Sequence, residues 1–485
     1  MAPSLAMLQT LATTLAGVSD ALHTQSGAHE PHTRLGIFEG YIGVLVISFV
    51  VTLFATPIMR MLAVKNGIID RPSDPRKVHK IPVAYLGGVG VYLGIMAGIF
   101  FSLLAIKFTS LIQYHPTKFI DPLGEAIRLP VPWSVVLGMT VIVLVGVIDD
   151  VSGLSPRVKV GGQLFAAACL AVELVGVRVA AGLVLPLAEA FGVQTTTVIM
   201  NGQAAETVLF SIPLPAPIWG YAAIHIDMIY WIGTAMLGLG VVALCNACNL
   251  IDGLDGLCTG TTAITSIGLL VIALSLALFD DGPRDSQRII LCMAILGACL
   301  GFLPHNFNPA TIFLGDAGSL LLGYCMCVLI FSLGDTGKTH YVAAGLIAFM
   351  LPILDTALAI VRRKMEGKSI SAADDQHIHH ILKRALGVKR AVLVLYAIAA
   401  AFAIMGAFVA MGRARVVYLF ALLLVSFIGV TAIKIARRKH IESQLLQREA
   451  MAAVGTAPPV DAPTPPPAEN TSAAVPPGVA SDQRG

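Results

Sequence analysis

Eleven apolar runs, several long enough to cross a bilayer and the rest only slightly shorter, leave this chain no soluble fold. They occupy residues 41–59, 86–106, 133–148, 160–177, 229–244, 261–279, 289–304, 317–333, 341–361, 391–411 and 416–432. A helix spans the hydrocarbon core with about 20 residues, and shorter runs extend into the polar flanks or tilt less. Composition agrees: 56% of residues are hydrophobic, only 13% are charged, and mean hydropathy is +0.81. The expected fold is an all-α polytopic membrane protein with about 11 transmembrane helices.

Orientation follows from the basic residues, because Lys and Arg resist translocation while Asp and Glu matter little. With an external N-terminus, 22 of the 32 Lys and Arg fall on the inner side. They form blocks at Arg60 to Lys80, Arg157 with Lys159, Arg362 to Arg390, and beyond Lys434. Residues 1–36 lack a basic start and a clear cleavage site, and read as an external extension rather than a cleaved signal peptide. Residues 37–440 form one membrane domain with its polar residues on the cytoplasmic face, and 441–485, rich in Pro and Ala, read as a disordered cytoplasmic tail. The longest external loop, 178–228, mixes Pro with β-prone residues and suits a small hairpin or an amphipathic element. Cys245, Cys248 and Cys258 are the one cysteine cluster; without a further Cys or His pair at ligand spacing they read as small apolar filler.

The residues a membrane disfavours gather in five places, 70–88, 149–159, 246–256, 305–319 and 362–384. The charge-derived topology puts all five on one face, as a single polar site requires. Asp149-Asp150 ends an apolar run and is followed by Arg157 and Lys159. Taken alone this is a pair of solvated carboxylates in a turn or, equally, a site for phosphate and a divalent metal. Asn246, Asn249, Asp252 and Asp255 recur every three residues, which on a helix end lines amide and carboxylate oxygens along one stripe. A transporter's cation path is the rival reading of such a stripe, but it predicts polar clusters on both sides of the membrane and an internal repeat, and neither is present. In Phe313-Leu-Gly315-Asp316-Ala-Gly318-Ser319, glycines flank a carboxylate and admit a bulky polyanion close to backbone N–H groups. The last cluster, His377-Ile-His379-His380, follows Arg362, Arg363, Lys364 and Lys368. Three histidines suit a transition metal or phosphate oxygens, and the upstream cations favour phosphate.

Taken in order, Arg76-Lys77-Val78-His79, Gly87-Gly88, Asp149-Asp150, the run from Asn246 to Gly256, Phe313 to Ser319 and His377 to His380 resemble the polyprenyl-phosphate N-acetylhexosamine-1-phosphate transferases over residues 40 to 435. The His-Ile-His-His form is more similar to the branch using UDP-N-acetylglucosamine than to the branch that loads muramoyl-pentapeptide. The chain departs from the branch at Pro82-Val83-Ala84-Tyr85, where an Arg is usual at the last position, and at Asp375, where an Arg or Lys is common. The resemblance implies transfer of N-acetylglucosamine-1-phosphate from UDP-GlcNAc to undecaprenyl phosphate at the bacterial inner membrane, initiating a cell-envelope polysaccharide. It implies Mg²⁺, with Mn²⁺ as an alternative, held by Asp316 and Asn249. It also implies Asp149, Asp150 and Asp316 as the catalytic carboxylates. Lys80, Lys159, Asn246, Asp252, Asp255, His377, His379 and His380 would then bind substrate. Membrane lipid surrounds the protein, a homodimer is compatible with the sequence, and nucleic acid is not an expected partner.

Overall fold

The computed structural model describes residues 33–70, 82–108, 110–118, 129–200, 203–218, 221–279, 282–365, 367, 377–412 and scattered positions from 422 to 449. The chain divides into two compact units, 1–433 and 434–485, and most of the second lies outside the described residues.

Among the described residues, eight helices are long and apolar enough to span a membrane. They are α1 (Arg34–Lys65), α2 (Gly87–Lys107), α3 (Trp133–Ser152), α6 (Met228–Ile251), α7 (Leu257–Leu278), α8 (Asp285–Asn306), α9 (Gly315–Ser332) and α13 (Val388–Ala410). Two bent helix pairs bring the candidate spans to ten if each pair crosses as one. Helix α4 (Pro156–Val172) meets a segment of 3₁₀ helix and α5 (Ala181–Ala190) at 84°, and α10 (Thr339–Ala348) meets α11 (Met350–Met365) at 77°. The eight helices and the two bent pairs fall in order on the first ten expected runs, and the eleventh, 416–432, lies largely outside the described residues. The bends escaped the hydropathy pattern because a run stays apolar whether its helix is straight or broken. A short helix, α12 (Ile378–Leu386), precedes α13.

Burial ranks the helices. In α9, 94% of the span is buried inside the protein, in α7 and α8 78%, but in α1 only 28%, so α9 is the axis on which the others pack. The outer helices instead turn large apolar residues such as Phe54, Phe100 and Leu239 outward, which in a bilayer is satisfied by lipid. Close approach to α9 depends on small residues: a Cβ on Gly146 of α3 would sit 2.3 Å from the Ala317 Cα, and one on Gly88 of α2 would sit 2.1 Å from the Gly318 nitrogen. Gly88 and Gly318 thus serve the contact between α2 and α9, a role for Gly318 besides the room for a polyanion expected of it.

Short β pairings tie the ends of the helices together. Strand β1 (Ile69–Asp70) runs antiparallel to β2 (Val83–Ala84), and Ala84 also bridges to Ile312. Gly87 and Gly88 donate backbone N–H groups to Phe313 and Leu314 at 3.1 and 2.9 Å. The start of α2 is thereby fixed to the segment that opens α9. At the opposite end of the bundle the long loop folds into two hairpins, β3 (Thr196–Met200) with β4 (Gln203–Thr207) and β5 (Leu209–Ile218) with β6 (Tyr221–Asp227), as its Pro and β-prone content anticipates.

Replacing Gly146 with Ala drives a methyl group into backbone that cannot yield. Overpacking of this kind costs about 1–3 kcal/mol, so a thermal-unfolding measurement on Gly146→Ala in detergent is expected to show a lowered midpoint, whereas Gly161→Ala, inside a helix where nothing stands within 4 Å, leaves it unchanged or slightly raised.

Candidate active site

Four helix ends converge at one end of the bundle: the C-termini of α3 and α6 and the N-termini of α4 and α9. Lys159, in the first turn of α4, reaches two carboxylates at once. Its Nζ lies 2.6 Å from Asp149 Oδ2 and 2.7 Å from Asp316 Oδ2. The other oxygen of Asp316 accepts from Asn249 Nδ2 at 2.8 Å, and the same amide nitrogen donates to Ser319 Oγ at 3.1 Å. Asp149 Oδ1 accepts the Leu154 N–H at 2.6 Å. Four residues from three separate stretches of sequence, Asp149, Lys159, Asn249 and Asp316, are thus brought together.

The neighbouring Asp150 has a different task. Its two oxygens accept the backbone N–H groups of Asp316 and Ala317 at 2.8 and 3.2 Å. The first N–H groups of a helix have no partner inside it and carry the positive end of its dipole, so a carboxylate placed there satisfies both. Gly315 turns the chain into α9 with φ of 71°, and a Cβ on it would meet Asp150 Oδ2. Asp150 thus holds Asp316 in place from behind.

A cavity of about 290 Å³ opens beside this cluster, lined by Asp70, Tyr85, Asn249, Asp252, Gly253, Leu254, Asp255, Asn306, Phe313, Leu314, Gly315, Asp316 and His380. The regular Asn/Asp stripe is interrupted here. Helix α6 ends at Ile251, Asp252 stands at its C-terminus, and Asp255 lies in the turn before α7. Gly256, with φ of 78°, makes that turn possible. Asp255 is held to the facing loop, accepting from Asn308 Nδ2 at 2.8 Å and from the Ala310 N–H at 3.1 Å. Asp252 has no hydrogen bond among the described residues. Burial, and then the charges of Asp316, Asp150 and Asp255, push its carboxyl well above the usual carboxylate range. Such a group, beside Asp316 and the Asn249 amide, supplies hard oxygen donors of the kind Mg²⁺ takes.

Other expected residues lie elsewhere. Asn246 donates to Gln163 Oε1 at 3.1 Å and to the Val242 carbonyl at 2.7 Å, one helical turn from the cavity lining. Of His377, His379 and His380 only the last lines the cavity; burial, and then the proximity of His379, His377, Lys383 and Arg384, push its pKa down to about 4, so it is a neutral donor or acceptor at neutral pH. Lys80 and the Arg76 to His79 run lie outside the described residues. Tyr85, in the position where the family pattern usually has Arg, forms part of the wall with its ring 6.0 Å from that of Phe313. Ser319, which accepts from Asn249, and Asp355, a lone carboxylate inside an apolar run, belong to the surroundings of the site without any pattern in the sequence that gives them a role.

Fold and site together define a multi-pass membrane protein with a carboxylate-rich cavity at one end of its helix bundle. Residues 132–334, which include Asp149, Lys159, Asn249 and Asp316, match the model of glycosyl transferase family 4. A decaprenyl-phosphate N-acetylglucosaminephosphotransferase of Mycolicibacterium smegmatis is 31% identical over 349 residues, covering 69% of this chain and 73% of that protein. A probable undecaprenyl-phosphate N-acetylglucosaminyl 1-phosphate transferase of Bacillus subtilis is 29% identical over 338 residues, or 70% and 75%. A phospho-N-acetylmuramoyl-pentapeptide-transferase of Trichormus variabilis is 29% identical over 286 residues, or 57% and 60%. The chain belongs to glycosyl transferase family 4.

The paired aspartates are expected to separate on mutation. Asp150→Asn sets an NH₂ group against a backbone donor and leaves a helix end unsatisfied, costing about 1–3 kcal/mol, so its thermal midpoint falls. Asp149→Asn, with its oxygen still able to accept from Leu154, keeps the fold. Thermal unfolding of the two variants side by side reads the difference.

Proposed function

We propose that the protein transfers N-acetylglucosamine-1-phosphate from UDP-GlcNAc to undecaprenyl phosphate, releasing UMP, on the cytoplasmic face of a bacterial inner membrane. The observation that carries this reading is Asp316, held by Lys159 and Asn249 at the mouth of a cavity lined by Asp252 and His380. The relatives whose names specify N-acetylglucosamine phosphotransfer to a polyprenyl phosphate support the choice of substrates. The split of 22 inner to 10 outer basic residues supports the cytoplasmic side. A second charged cluster, Arg284 with Asp335 and Arg288 with Asp285, stands at the other end of the bundle, and the buried apolar face of α9 between the two favours an enzyme over a transporter, whose polar path would run through it.

In the reaction a lipid-phosphate oxygen attacks the β-phosphorus of UDP-GlcNAc. The bond from that phosphorus to the bridging oxygen breaks, and UMP departs with the oxygen and the electron pair. Both substrates are polyanions, so cations must lower their repulsion before they meet. Lys159 supplies one fixed positive charge. Asp316 and the Asn249 amide oxygen are the residues that would hold Mg²⁺, which supplies charge neutralisation on the phosphates. A phosphomonoester has a second pKa of about 6 and is mostly dianionic at neutral pH, so little proton removal is required. Asp149, tied to Lys159 and to Leu154, orients the cation rather than serving as the nucleophile.

The test is incubation of purified protein with radiolabelled UDP-GlcNAc, undecaprenyl phosphate and Mg²⁺, then organic extraction, with UDP-N-acetylmuramoyl-pentapeptide as the competing donor. Label is expected in the organic phase from UDP-GlcNAc, and is lost on chelation of Mg²⁺ and in Asp316→Asn by a factor of about 10² or more, the scale of losing an electrostatic stabiliser. Transfer from the pentapeptide donor alone, or near-normal turnover in Asp316→Asn, would overturn the assignment.

A further inference from the structure

Three imidazoles crowd residues 377–380, yet two of them face away from the cavity. His377 and His379 are 4% and 2% exposed, and Asp355 of α11, 1% exposed, lies beneath both. Asp355 Oδ2 is 3.0 Å from His377 Nδ1 and 3.2 Å from His379 Nδ1, while its Oδ1 accepts the Ile378 backbone N–H at 2.8 Å. One carboxylate thus takes three donors from a single turn of chain at the start of α12. With Nδ1 of each ring donating to that carboxylate, Nε2 is the only ring nitrogen left to meet anything else. For His379 that atom meets Gly253: a Cβ there would stand 2.3 Å from it. Gly253 lines the cavity between Asp252 and Asp255, so the contacts run from Asp355 through His379 to the loop that carries those carboxylates.

We propose that Asp355 is a positioning residue, clamping His377 and His379 so that they brace the 252–255 loop from behind and leave His380 alone to meet the nucleotide-sugar. The inference rests on the transferase reading of the cavity and reassigns two of the three histidines within it. A carboxylate inside an apolar run is costly to bury and is retained where its hydrogen bonds fix a geometry. Here they fix the register of a histidine segment against a loop from another part of the chain. The same three side chains also lie close enough together to hold a transition metal, and separations of 3.0 and 3.2 Å are those of N–H···O hydrogen bonds.

Diethyl pyrocarbonate labelling of the full-length protein in detergent, mapped by mass spectrometry with and without UMP and Mg²⁺, reads the clamp without needing turnover. In the wild type His380 is expected to react and to be protected by UMP, while His377 and His379 stay unreactive. In Asp355→Asn the latter two should gain reactivity by about ten- to a hundredfold, the range for losing a charge-assisted hydrogen bond, and KM for UDP-GlcNAc should rise more than kcat falls. A second pair guards against misfolding of that variant. His379→Asn places an amide nitrogen where Nδ1 stood and keeps the bond to Asp355; His379→Gln places one where Nε2 stood. The clamp predicts more transfer from the Asn variant than from the Gln variant. The proposal is overturned by UMP protection of His377 and His379 in the wild type, by an unchanged labelling pattern in Asp355→Asn, by the reverse order of the His379 pair, or by a stoichiometric transition metal that Asp355→Asn loses. A protein inactive toward UDP-GlcNAc that still shows the labelling contrast would reject the donor and keep the clamp.

Discussion

The ammonium of Lys159, 2.6 Å from Asp149 and 2.7 Å from Asp316, is the interaction on which the site depends. Asp149, Asp150, Asp252 and Asp316 crowd the end of a helix bundle, where water is scarce and like charges repel strongly. Two devices make the crowding tolerable. Lys159 offsets two of the charges, and the N-terminus of α9 receives the third through the backbone donors that Asp150 accepts. Both act on α9, the most enclosed of the candidate spans, so Asp316 is anchored by its own backbone as well as by its side chain. The fourth, Asp252, has neither device, and burial with its carboxylate neighbours raises its carboxyl well above the usual range instead.

That arrangement explains why small residues matter as much as charged ones. Asp150 can reach the Asp316 and Ala317 nitrogens only because Gly146, one helical turn earlier, lets α3 lie against the Ala317 backbone. The tie between Gly87-Gly88 and Phe313-Leu314 holds the same point from the other side. The packing of α2, α3 and α9 and the placement of the central carboxylate are one structural fact.

Much of this was legible in the amino-acid sequence. Hydropathy located the eight long helices and the two bent pairs in order, the polar clusters at their ends shared one face, and the family resemblance picked Asp149, Lys159, Asn249 and Asp316 from them. A period of three could not reveal that α6 stops at Ile251, because the turn depends on glycine backbone conformation at Gly256 rather than on polarity. Nor does the spelling of His377 to His380 distinguish an imidazole facing a cavity from one resting on a buried carboxylate. Asp355, about twenty residues earlier in an apolar run, belonged to no cluster until folding brought it beneath the histidines.

The electrostatics also bear on who attacks whom. An Asp149 carboxylate engaged by Lys159 on one oxygen and by the Leu154 N–H on the other is a weak nucleophile, and a lipid phosphate already dianionic needs no strong base. The central claim is that the carboxylates hold cations in place while the lipid phosphate performs the displacement. The measurement that tests it most directly is exchange of labelled UMP into UDP-GlcNAc, with Mg²⁺, by protein stripped of endogenous polyprenyl phosphate. Direct displacement predicts no exchange until the lipid acceptor is restored. Exchange that survives stripping and disappears in Asp149→Asn would contradict it, because UMP would then have left before any acceptor was bound.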